Sequence, residues 1–217
     1  MITYHILDTE TASLQGGVVE IAWLEIDNQL QILNEFVTRV NPERPIDPGA
    51  FAVHGISDED VKDAPTLAQV AINLPETGIH LIGHNSAFDR RMINKDIHVV
   101  DALCTLMLSR QYVKGTTNNK LETLQKELKF PEQTSHSALG DVHTCLDLLK
   151  YLMQLSGLSL ETMFDRQRKP IILQTMPFGA HKGKPFMQVP KQYREWLLTL
   201  PDLDPSLRST LEKLRNV

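Results

Sequence analysis

Apolar residues along this chain fall first into short runs and later into helical repeats. Tyr4 to Glu10 reads as a brief buried strand and Val18 to Ile26 as a second, with Gln15-Gly16-Gly17 as the turn between them. Ile32, Asn34, Phe36, Thr38 and Val40 alternate before Asn41-Pro42, which predicts a half-exposed third strand from Ile32 to Val40. Connections this short favour an antiparallel meander. Ser57 then caps a helical turn, with Asp60 in the capping-box position, and after Pro65 a second helix is expected from Leu67 to Asn73 under a Thr66 cap. Ile79 to Gly83 suits a central strand, and Asn85-Ser86 can cap the helix that follows. Leu121, Leu124 and Leu128, and later Val142, Leu146, Leu149 and Leu152, recur at helical spacing and mark two amphipathic helices. Strands first, then helices with one more strand between them, predict a mixed α/β layer fold.

Composition agrees with a folded chain: 41% of the 217 residues are hydrophobic and 23% charged, enough for one sizeable core plus a small appendage. Met1 to Leu7 has no basic region and too short an apolar run for a signal peptide, and no segment has the length to span a bilayer, so a soluble cytoplasmic protein with no membrane partner is expected. Cys104 and Cys145 lie far apart and in no C-x-x-C arrangement, which points to buried thiols rather than a disulfide or structural zinc.

Charge divides the chain. Residues 1–165 carry 12 Lys and Arg against 23 Asp and Glu, whereas residues 166–217 carry 10 against 4. Two oppositely charged solvated surfaces would account for this, as would an acidic body holding metal and a basic tail meeting a polyanion. The change falls near Ser156-Gly157 and Arg166 to Pro170, so the expected division is a main domain at 1–160, a linker at 161–175 and a small basic module at 176–217, too short for an independent core.

The acidic residues suggest chemistry. Asp8 and Glu10, two apart in a strand, leave the same face of the sheet. Asp89 and Asp141 each stand near the start of a helix, where the macrodipole alone favours an acid. That explanation omits the apolar strand ahead of Asp89, which would deliver it beside Asp8 and Glu10 if the two strands are neighbours. Four converging carboxylates repel one another unless cations neutralise them. Oxygen ligands favour two divalent cations, Mg²⁺ or Mn²⁺, and phosphodiester hydrolysis is the reaction such a pair serves. His136 precedes Asp141 by about 140° of helical rotation, so it is placed on the loop before the helix, with Ser137 as cap, where its imidazole can act as general base. His80 and His84 have a zinc-like spacing, but the strand between them argues against that site. Gly16-Gly17 is too short for a phosphate loop, and no nucleoside triphosphate cofactor is indicated.

These residues resemble the DEDDh (DnaQ-like) 3′-5′ exonucleases, whose motifs are D-x-E on the first strand, H-N-x-x-F-D before a helix and H-x-A-x-x-D on the last helix. Here they read Asp8-Thr9-Glu10, His84-Asn85-Ser86-Ala87-Phe88-Asp89 and His136-Ser137-Ala138-Leu139-Gly140-Asp141, in order. Val19-Glu20-Ile21-Ala22 and His54-Gly55-Ile56-Ser57 are family-like as well, and the resemblance covers about residues 3 to 153. It implies a ribonuclease H-like fold, with metal on Asp8, Glu10, Asp89 and Asp141 and His136 as catalytic base. Thr9, Thr11, Leu14, His54 and Ile56 would grip the terminal nucleotide, and Asn85 and Phe88 would shape the floor beneath it. Ala12-Ser13 depart from the Thr-Gly of many relatives.

Past residue 170 the stretches Phe178 to Pro185 and Val189 to Leu197 resemble the exonuclease X branch of that family. The first reads as a glycine turn between short strands. The second is an amphipathic helix with Tyr193, Trp196, Leu197 and Leu200 on one side, expected as a miniature core, while Lys182, Lys184, Lys191 and Arg194 can follow a DNA backbone. The resemblance implies a 3′-5′ exodeoxyribonuclease acting on single-stranded DNA or the 3′ ends of duplex, in repair or end processing. A 3′-5′ exoribonuclease remains an alternative, since the same site cuts RNA. An inactive nucleic-acid-binding or polymerase-accessory module is the alternative of another class, against which the intact motifs argue.

Overall fold

A computed structural model of the chain describes residues 2–168, 172–200 and 203–215, in two compact units, 1–164 and 165–217. The first is built on a five-stranded sheet in the order β3-β2-β1-β4-β5. Strands β1 (Tyr4–Ser13) and β2 (Gly16–Ile26) form an antiparallel hairpin, and β3 (Ile32–Arg39) continues the meander at the edge. The hairpin runs further than the sequence pattern suggested. Its turn is Leu14-Gln15, and Ser13 Oγ, which accepts the Gln15 N–H at 3.2 Å, helps to close it. Three short helices follow, α1 (Pro48–His54), α2 (Asp58–Val61) and α3 (Leu67–Ala71). The boxes expected at Ser57 and Thr66 are present: each backbone N–H donates to a side chain of the first turn, Ser57 to Asp60 and Thr66 to Gln69, both at 2.8 Å.

β4 (Ile79–Gly83) lies parallel to β1 on the side away from β2, so both strands end at the same edge of the sheet. From there the chain enters α4 (Ser86–Ile93). Asn85 holds the N-cap position in a left-handed conformation, φ 84°, and makes no side-chain cap, a correction to the cap read from the sequence. β5 (Val99–Cys104) pairs parallel with β4 and was not legible as a strand, because Asp101 interrupts its short apolar run. On β4, His80 Nδ1 meets Asp101 Oδ1 at 2.6 Å.

Alternation along the central strands builds two cores. Ile6, Leu24, Ile82 and Leu103 face α5 (Thr105–Tyr112), α6 (Leu121–Glu127), α7 (Ala138–Ser156) and α8 (Leu160–Arg168). Leu7, Ile21, Trp23 and Leu81 lie on the opposite side with Val70 and Ile93. Cys145 is a buried free thiol, whereas Cys104 is only partly covered. The supposed linker begins as helix α8, whose Leu160, Met163 and Phe164 are buried in the first core. Residues 169–171 of that stretch lie outside the described ones.

The second unit has a core of its own, against the expectation that it was too short for one. Met176, Phe186, Val189, Leu197, Leu203, Leu207 and Leu211 form it, with α9 (Lys191–Leu198) and α10 (Pro205–Arg215) as its helices. In place of two short strands there is one bridge, Thr175 to Pro185, closing a 3₁₀ turn at Gly179–His181. Leu197 is buried, and Tyr193 and Leu200 pack on the core, but Trp196 is 51% exposed and does not belong to it. Among the described residues no helix is long and apolar enough to cross a membrane.

Candidate active site

Because β1 and β4 are parallel neighbours, their carboxyl ends share one crevice, the position where open α/β sheets place ligands. Asp8 and Glu10 leave β1 on one face, opposite Ala22 and Glu20 of β2, just before a bulge at Glu10/Thr11. Asp141, in the first turn of α7, completes a group with them in which carboxylate oxygens lie within 4.8 Å of one another. Asp89 reaches the same place from α4, where its Oδ1 accepts the Thr9 hydroxyl at 2.9 Å and the Thr9 N–H at 3.2 Å.

Crowding acids in a low-dielectric crevice raises the cost of ionising them. Burial, then the charges of Asp89, Asp141 and Glu10, push Asp8 well above the usual carboxylate range. Burial and Asp141 raise Glu10 to about 7. Asp89 also rises to about 7 through burial, against the opposing hydrogen bonds from Thr9. Burial lifts Asp141 to about 6, opposed by His136. A set of oxygen donors that resists carrying its own negative charge fits hard divalent cations, whose charge would cancel the repulsion.

His136 sits on the loop before α7 with φ 58°, a left-handed conformation that histidine tolerates better than most residues. Its imidazole is half-exposed and turned toward α6, with Nε2 3.8 Å from Glu122 Oε2. Gly140 explains how the loop passes so close to the helix: a Cβ there would lie 2.1 Å from the Thr134 carbonyl oxygen. Ser137 occupies the N-cap position without a side-chain cap. The capping acceptor comes from elsewhere. Glu20 on β2 takes the Ala138 N–H on Oε1 at 2.8 Å and the Arg39 guanidinium on Oε2 at 2.8 Å. In the sequence Glu20 is marked only as part of the family-like Val19-Glu20-Ile21-Ala22 segment, a carboxylate among apolar residues of a buried strand, with no role assigned to it.

Two clefts flank the carboxylates. One, of about 510 Å³, is lined by Glu10, Thr11, Leu14, Val53 and His54. His54 is fixed within it: Nδ1 accepts the Ile56 N–H at 3.0 Å, which leaves Nε2 to donate to the Thr11 carbonyl at 3.2 Å, and burial lowers its pKa. The other, of about 660 Å³, is lined by His136, Asp141, Arg110, Lys120 and Glu122. His84 braces its wall, donating from Nε2 to the Asn119 carbonyl at 2.8 Å and accepting the Thr105 hydroxyl on Nδ1 at 3.0 Å. Of the residues expected around a terminal nucleotide, Thr11, Leu14 and His54 meet at the first cleft. Ile56 does not: its side chain is buried with Ala12, Val19 and Val61, because the bend after α1 turns it inward. Thr9 is buried against Asp89. Asn85 and Phe88 line neither cleft; Asn85 is exposed and Phe88 lies under the Arg91 guanidinium, 5.4 Å from its ring centre.

This sheet and its acidic crevice are those of a DEDDh exonuclease. Residues 5–149 match the RNase T family of exonucleases, and the chain belongs to that family. It is 34% identical over 217 residues to Exodeoxyribonuclease 10 of Escherichia coli K12, spanning 96% of each protein. It is also 32% identical over 175 residues to the DNA polymerase III epsilon subunit of the same organism, covering 70% of this chain and 71% of that one. Among solved structures, exonuclease X in complex with 5′ overhanging duplex DNA superimposes with a TM-score of 0.65 at 34% identity, over 75% of this chain and 98% of that one. Escherichia coli exonuclease I in complex with a dT13 oligonucleotide shares the fold, with a TM-score of 0.62 at 16% identity over 76% of this chain and 43% of that one.

Proposed function

We propose that the protein is a 3′-5′ exodeoxyribonuclease that hydrolyses DNA phosphodiesters from the 3′ end and releases 5′-mononucleotides, an activity suited to repair or end processing. The observation that carries this reading is the meeting of Asp8, Glu10 and Asp141 within 4.8 Å, with Asp89 joined to the strand between the first two. DNA is favoured as substrate by the 34% identity, over nearly the whole chain, to an exodeoxyribonuclease.

Asp8, Glu10, Asp89 and Asp141 would hold the divalent cations, Mg²⁺ or Mn²⁺. Two such ions, when bound, would cancel the crowded charge and orient both the scissile phosphate and the attacking water. The chain's own residues do the rest. His136 takes the proton from the attacking water, and its exposed position lets it turn from Glu122 to do so. Thr11, Leu14 and His54 form a cleft free of Lys and Arg, which suits the sugar and base of one terminal nucleotide. Lys182, Lys184, Lys191 and Arg194 meet the backbone of the remaining strand.

Side-by-side digestion of end-labelled single-stranded DNA, duplex DNA and RNA, each with Mg²⁺, Mn²⁺ or EDTA, tests the proposal. Metal-dependent release of mononucleotides from the 3′ end of DNA is the expected result. Faster release from RNA would favour the exoribonuclease, and no release with either metal would leave only a binding module.

A further inference from the structure

Trp196 is out of place for a packing residue. The second unit has a core that could have taken it, yet α9 turns Leu197 inward and leaves Trp196 51% exposed. Its ring is part of a row: Trp196 lies 5.4 Å from Tyr193, and Tyr193 lies 4.8 Å from His181, centre to centre. Gly179 lets the basic turn settle against this row, since a Cβ there would stand 2.7 Å from Tyr193 Oη. That turn carries Lys182 and Lys184, both exposed, immediately after His181. An exposed indole, backed by two half-buried rings and close in sequence to two exposed lysines, thus stands on the most basic part of the chain.

We propose that Trp196, braced from behind by Tyr193 and His181, forms with Lys182 and Lys184 a stacking site for single-stranded DNA in the C-terminal unit. The inference rests on the exonuclease reading for its choice of polymer and deepens it. Unpaired bases offer the flat faces that an exposed indole accepts, and the phosphates between them match the lysines. A duplex hides those faces within its stack. Ten Lys and Arg against four Asp and Glu in residues 166–217 supply the charge complementarity.

The sequence contains only two tryptophans, and the other, Trp23, is 1% exposed and stacked on Phe36 at 4.1 Å. Trp23 emits as well but is shielded from contact with DNA, so the change in fluorescence on adding an oligonucleotide reports on Trp196. Full-length protein in EDTA, titrated with oligothymidylate, is expected to show saturable quenching, whereas an abasic oligonucleotide of equal length should not quench. Trp196→Ala should weaken oligothymidylate binding about tenfold, and Trp196→Tyr should restore most of it. Replacing Lys182 and Lys184 with Gln should flatten the salt dependence of binding by about one unit of log–log slope. No quenching at saturation, equal quenching by the abasic strand, or unchanged affinity in Trp196→Ala would each overturn the site. Mg²⁺-dependent hydrolysis without quenching would overturn it while leaving the exonuclease reading intact; quenching without hydrolysis would do the reverse.

Discussion

Thr9 and Asp89 are joined twice at a single oxygen: hydroxyl and backbone N–H of Thr9 both donate to Asp89 Oδ1, across 80 positions of sequence. This pairing holds the helix-borne acid against the strand that carries Asp8 and Glu10. It also works against burial, which raises Asp89 to about 7. Thr9→Val removes one bond to a charged acceptor and is expected to cost about 2 kcal/mol of support for ionised Asp89. Hydrolysis at pH 7 should fall about tenfold, recover in part at pH 8.5, and be restored in Thr9→Ser.

The four raised carboxylates set the stability of the metal-free protein against pH. Each binds its proton more tightly folded than unfolded, so between the unfolded values near 4 and the folded ones near 6 and 7 the native state holds more protons. These acids make stability fall as pH rises through that window, opposed below about pH 6.5 by His5, His54 and His84, whose burial lowers their pKa. Thermal melts in EDTA should show a lower Tm at pH 8 than at pH 6.5, above the range in which the histidines titrate, and Mg²⁺ should raise Tm more at pH 8. A metal-free Tm that climbs from pH 6.5 to 8 would show that these acids are not crowded in solution.

Asp8→Ala and Asp141→Ala should leave almost no hydrolysis with either metal, and His136→Ala should lose about 10² to 10⁴ in rate. Oligonucleotide binding should survive His136→Ala. In EDTA at pH 8, Asp8→Asn should melt above the parent protein, because a buried like charge has been removed. Full activity in Asp8→Ala would dismiss the mechanism.

Gly140→Ala puts a methyl group 2.1 Å from the Thr134 carbonyl, a backbone atom that must move. The loop bearing His136 would move with it. A loss of about 1 to 3 kcal/mol in stability is expected, with kcat reduced at least tenfold and DNA affinity nearly unchanged. Steady-state kinetics beside a denaturant curve would check both parts.

Glu20 is the buried acceptor that starts α7, held in turn by Arg39. Glu20→Ala, melted with Mg²⁺ present so that relief of like charge is not the measured effect, should lose about 1.5 to 3 kcal/mol. Its activity should fall with it, since Asp141 lies one turn along that helix. Glu20→Gln keeps an acceptor for Ala138 and should lose less.

Local pattern was enough for much of this molecule. Alternating and continuous apolar runs marked β1 to β4, because burial on a sheet face imposes its period on neighbouring residues alone. Three spaced motifs marked the acids and His136, because cation chemistry demands those side chains whatever the backbone does. What the sequence could not decide was anything carried by pairs distant along the chain. β5 joins the sheet by pairing with β4 alone, Glu20 caps a helix 118 positions away, and Ile56 turns inward although its neighbour His54 lines the cleft. The same limit governed the tail. Helical spacing put Tyr193, Trp196 and Leu197 on one side of α9, but only the packing of α10 and the Met176 to Phe186 turn decided which of them water would reach. Periodicity names a face; the tertiary structure decides what covers it.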